Sequence, residues 1–163
     1  MFAMLGTVMF VSKLVMEFLP NVHLLAMLTV TYTLVFRRKA LLPIFVFVAL
    51  TGVYAGFSYW WVPHLYLWFL LWGATMLLPR NLSSRAEYVV YPILCFLHGL
   101  FYGVLYAPAQ ALLFHMDLTA TLAWIAAGFS FDVIHAVSNF AVGFLVPPLV
   151  LVLRRLYVKT QNL

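Results

Sequence analysis

Charge is what this 163-residue chain has least of: Asp, Glu, Lys and Arg make up 8% of it, and only four of them are acids. With 66% hydrophobic residues, a soluble domain of this size could not hide its apolar side chains, so the sequence predicts an integral membrane protein. Cysteine is limited to Cys95, inside an apolar run, which excludes an intrachain disulfide. No GxxxxGK[ST] phosphate loop is present, so the chain cannot power itself with ATP. GxSxG, HExxH and paired acidic motifs are also missing, which leaves hydrolytic chemistry poorly supported.

What the chain does have is long apolar runs, with a mean hydropathy of +1.06. A span needs about 20 apolar residues, so six spans use up most of the length and leave only short loops. They are expected at 2–19, 22–36, 41–57, 62–78, 88–114 and 132–153. The segment 117–129 is too short to cross and is expected to be a half-helix before the last span. The expected fold is therefore one all-α transmembrane domain, 1–163, a six-helix bundle. The first run has no basic flank and no small-residue cleavage site, so it is expected to be a retained helix rather than a signal peptide.

Eight of the nine Lys and Arg residues fall in three places: Arg37-Arg38-Lys39, Arg80 with Arg85, and Arg154-Arg155 with Lys159. These are alternate gaps between apolar runs, and cytoplasmic loops carry the positive excess. The pattern predicts both termini in the cytoplasm and the 117–129 half-helix outside. The net charge of +5 then orients helices and meets lipid headgroups, with no need for nucleic acid.

Ionisable groups within spans are costly and usually line a cavity. Asp132, His135 and Asn139 project within about 60° of one another on a helix and form the sharpest cluster. They suit the polar edges of a small organic solute; one Asp and one His are too few for a metal. Asp132 is also expected to cap the last span. Lys13 and Glu17, four apart, serve either a ligand or one another. His98, Tyr102, Tyr106 and Gln110 form a ridge at steps of four, with Tyr106 and Gln110 the better ligand candidates and His98 expected to be a satisfied core group. Trp60, between Tyr59 and Trp61, belongs to an interfacial belt or stacks on a flat ring. Gly99, Gly103, Ala107 and Ala111 make a small-residue stripe that favours close helix packing within the chain.

The stretch GFSFDVIHAVSNFAVGFLVPPLVLVLRRL (128–156) resembles the last helix of substrate-binding S components of energy-coupling-factor vitamin transporters. LPNVHLLAMLTVTYTLVF (19–36) and LHGLFYGVLYAPAQALL (97–113) are similar to that family as well. The resemblance implies a prokaryotic plasma-membrane subunit, without enzymatic activity or cofactor, that captures a vitamin or vitamin precursor from outside. It implies partners: a transmembrane T component and two ATPase subunits, with the S component toppling to carry its site inward. Family binding positions correspond to Asp132, His135 and Asn139, and less directly to Tyr106 and Gln110. The family's Ala-x-x-x-Ala docking motif has its nearest match at Ala3 and Thr7, with Gly6 between.

Two other function classes fit the composition. One is an intramembrane enzyme using Asp132 and His135 as acid and base. The other is a non-catalytic assembly subunit that uses the small-residue stripe and binds no small ligand.

Overall fold

The helix Leu25–Phe36 is buried on all sides, and the rest of the chain is arranged around it. Its composition explains why. LAMLTVTYTLVF carries no charge, and its hydroxyls turn inward, as when Thr33 Oγ1 donates to the Thr29 carbonyl at 2.7 Å. The computed structural model describes residues 1–161, and over these the fold is all-α. In chain order the helices are α1 (Phe2–Val15), α2 (Leu25–Phe36), α3 (Leu41–Ala55), α4 (His64–Leu77), α5 (Ser84–Leu100), α6 (Tyr102–Phe114), α7 (Leu118–Gly143) and α8 (Val146–Gln161). Short 3-10 turns at Arg37–Ala40 and Tyr59–Trp61 connect α2 to α3 and α3 to α4.

Two junctions are kinks rather than reversals. α5 and α6 run on through Phe101, whose amide still bonds the Leu97 carbonyl at 3.0 Å. α7 and α8 are separated only by Phe144 and Leu145. α7 and α8 follow α2 in one direction: Ser138 meets the Asn21 carbonyl at its start, and Arg154 meets the Leu34 carbonyl near its end. Counted this way, the described residues form six rods. Two apolar helices, Ser84–Leu113 and Leu118–Gly143, are long and apolar enough to cross a membrane.

The expected boundaries near the C-terminus need correction. There is no separate half-helix at 117–129 and no unbroken helix at 132–153, because α7 runs continuously from Leu118 to Gly143. Asp117 starts it by accepting the Ala120 amide at 2.7 Å, and no proline interrupts it before Pro147. Pro147 and Pro148 then lack amide hydrogens and crowd the carbonyls four residues back, which forces the break at Phe144–Leu145. Asp132 therefore sits inside a helix and does not cap one at its own position.

The small-residue stripe packs within the chain. α5 and α7 are antiparallel and approach so closely that a Cβ on Gly99 would lie 2.8 Å from the Ala136 amide nitrogen. Farther along the seam, a Cβ on Gly143 would lie 2.6 Å from Pro92 Cα. Gly6 plays the same part between α1 and α3, with Pro43 O 2.7 Å from where its Cβ would stand. The expectation that Gly6 belongs to a docking face is thus corrected: it faces α3. Ala3 and Thr7 are exposed, and Thr7 Oγ1 donates to the Ala3 carbonyl at 3.0 Å.

The exterior is apolar. Leu77 is 87% exposed and Leu112 78%, and many Phe, Val and Leu side chains join them on the surface.

Candidate functional site

The kink between α5 and α6 leaves the Gly103 amide turned away from its own helix, and Asp132 of α7 receives it. Both carboxylate oxygens accept from Gly103 N–H, at 3.2 and 3.1 Å. The aspartate thus caps α6 from a neighbouring helix. A Cβ at position 103 would stand 2.5 Å from Asp132 Oδ2, so a side chain there would push the carboxylate out of this position.

Beside this contact lies a cleft of about 300 Å3. Asp132, Tyr106 and Gln110 line it, as do Asn21, Tyr102 and Trp124. Tyr106 and Trp124 stack at 5.8 Å with 24° between their planes, which makes a flat aromatic wall. Tyr106 is held by its hydroxyl, which donates to the Trp60 carbonyl at 3.1 Å. Gly128 also lines the cleft, and a Cβ there would meet nothing within 4 Å.

Tyr102 forms the back wall. Its other side faces His135 at 4.9 Å and His98 at 6.0 Å between ring centroids. Behind it lies a buried polar layer. His23, from the loop before α2, meets His135 edge-on at 4.5 Å, and Trp68 of α4 packs on His98 at 5.6 Å. Asn139 is 0% exposed and lies against Gly99. Several polar atoms in this layer have no hydrogen-bond partner: both ring nitrogens of His98, Nε2 of His135, Nδ1 of His23, Nε1 of Trp68, and both side-chain polar atoms of Asn139. The Leu67 carbonyl is near His98 but outside hydrogen-bonding geometry. His98 was expected to be satisfied in the core, and it is not.

His23 lies in the loop before α2 and packs against both His135 and Trp68. Among the described residues, no group of three His, Cys, Asp or Glu side chains is placed to hold a metal.

The remaining candidates stand apart from the cleft. Lys13 and Glu17 form an ion pair at 4.0 Å, with Glu17 beyond the end of α1, and neither lines the cleft. Trp60 contributes its carbonyl, which accepts from the Tyr106 hydroxyl and, in the Nδ1–H tautomer, from the His64 ring at 3.0 Å. Asp132, His135 and Asn139 do share a buried face of α7, divided between the cleft and the layer behind it.

Trp124, Tyr102, His23 and Trp68 were not singled out from sequence as site residues. Trp124 was hidden by the supposed break near residue 130. On one continuous helix, Trp124, Gly128, Asp132, His135 and Asn139 recur at steps of three and four and form a single stripe. No family model matches the chain, and no curated protein or solved structure matches it either.

Proposed function

We propose that the chain is a multi-pass plasma-membrane protein that captures a small planar, nitrogen-containing solute in the cleft between α6 and α7. We place it as the S subunit of an energy-coupling-factor importer of prokaryotic type. It would bind a vitamin or vitamin precursor from outside and pass it on through a T component and two ATPase subunits.

The observation that carries this reading is the cleft itself, where the Tyr106–Trp124 stack stands beside Asp132 and Gln110. The unpaired polar atoms behind Tyr102 do not line the cleft; an unpaired buried donor or acceptor costs about 1–3 kcal/mol, and their gathering next to it is a cost that packing alone does not explain. The Tyr106–Trp124 wall suits a flat ring, and Asp132 and Gln110 suit its polar edge. The apolar exterior supports immersion in lipid. Arg37, Arg80 and Arg154 gather at the end of α2 opposite the cleft, which supports an outward cleft and an inward basic end.

The test is thermal unfolding of the purified chain with thiamine, its pyrimidine precursor and riboflavin, each followed for turnover. Stabilisation without consumption of the compound supports capture. Consumption of a compound would favour an enzyme using Asp132 and His135. No shift with any of the compounds would count against capture.

A further inference from the structure

The basic end of the bundle holds a second constellation, independent of the cleft and of the importer reading. Arg37 follows α2, Arg80 lies between α4 and α5, and Arg154 is on α8. These three guanidinium groups, far apart in sequence, line one cavity of about 400 Å3 with Leu34, Asn81 and Tyr91. An adjoining cavity of about 460 Å3 shares Arg37 and Arg80 and adds Arg38 and Lys39.

Arg37 is built into place. Its backbone adopts φ 54, ψ −120, a conformation that residues with a side chain rarely take. Two residues of α4, four apart on one face, fix it: Trp72 Nε1 donates to the Arg37 carbonyl at 3.1 Å, and Arg37 Nη2 donates to the Met76 carbonyl at 3.2 Å. Its Nε is buried without a partner. Arg154 Nη2 reaches the Leu34 carbonyl at 3.5 Å. These bonds to carbonyls orient the guanidiniums but neutralise none of them. Among the described residues, no carboxylate forms an ion pair with Arg37, Arg80 or Arg154. Three positive charges converge on the cavity, and the Glu87 carboxylate, which accepts from the lining Tyr91 hydroxyl at 3.4 Å, forms no ion pair with them, so an added anion lowers their mutual repulsion.

We propose that Arg37, Arg80 and Arg154 form a binding site for a phosphate group. Guanidinium forks match phosphate oxygens, and an anion here would pair with donors the protein leaves free. Exposed apolar side chains on the same elements, Leu77 of α4 and Leu151 and Leu156 of α8, give acyl chains a surface to follow. The phosphate of an anionic lipid is therefore the favoured source, and a soluble phosphate compound is the other.

The full chain, purified in detergent, is titrated with phosphatidylglycerol, phosphatidylcholine or inorganic phosphate, with thermal unfolding and native mass spectrometry as readouts. Phosphatidylglycerol is expected to bind and stabilise in preference to phosphatidylcholine. Arg80→Gln is the decisive variant, because among the described residues no hydrogen bond from Arg80 is lost; it should weaken binding about tenfold, as expected for one charge-assisted contact. Arg155→Gln, which removes a charge that does not line the cavity, should bind as the unaltered chain does. Stabilisation by inorganic phosphate and not by phosphatidylglycerol, lost in Arg80→Gln, would support the site with a soluble ligand. Equal binding of both lipids with no phosphate response, or equal losses in Arg80→Gln and Arg155→Gln, would overturn it and leave these arginines as caps for helix carbonyls.

Discussion

Asp132 on α7 accepts the amide of Gly103 on α6 with both carboxylate oxygens, at 3.2 and 3.1 Å, and so ties the kink of one helix to the middle of another. Hydrogen bonds to charged groups contribute about 1.5–3 kcal/mol. Asp132→Ala should therefore destabilise the fold by about that amount, while Asp132→Asn, which keeps an acceptor, should cost less. Thermal unfolding of both variants checks the ordering. Equal losses would show that the capping contact carries little.

Glycine positions separate packing from site. Gly99→Ala and Gly143→Ala place a methyl group within 2.9 Å of neighbouring backbone, which on a rigid seam should cost about 1–3 kcal/mol. Gly73→Ala meets nothing within 4 Å and should stabilise α4 by up to about 1 kcal/mol. Unfolding temperatures of the three variants are the measurement.

Asn139 is buried with both side-chain polar atoms unpaired. Replacing such a group by an apolar one of similar size removes a desolvation cost of about 1–3 kcal/mol. Asn139→Leu should accordingly unfold at a higher temperature and, because Asn139 does not line the cleft, leave the affinity for a cleft solute in place. A less stable variant would show that Asn139 serves folding.

The helical class and the basic end were legible in the sequence because both rest on simple signals. Apolar runs mark the rods, and Arg37, Arg80 and Arg154 fall in alternate gaps and meet at one end. The stripe of Gly99 and Gly103 was legible as close packing because small side chains at steps of four have that consequence on any helix. The break near residue 130 was misplaced. Counting residues per crossing suggested a division there, while the local chemistry, Asp117 at one end and Pro147-Pro148 at the other, specifies one helix. That error put Trp124 out of phase with Asp132. The partnership of His23 with His135 was not legible, because it depends on how a loop folds back over α7 and not on any spacing along one helix.

The most direct test of solute capture in the cleft is a saturation titration with thiamine, its pyrimidine precursor and riboflavin, comparing the unaltered chain with Gly128→Leu. A side chain at Gly128 has open space on the cleft side, so Gly128→Leu should fill the site without disturbing the fold. The account predicts saturable binding of at least one of these compounds, without turnover, and its loss in Gly128→Leu at an unchanged unfolding temperature. Binding that survives in Gly128→Leu, or no binding of any of the three to the unaltered chain, would contradict it.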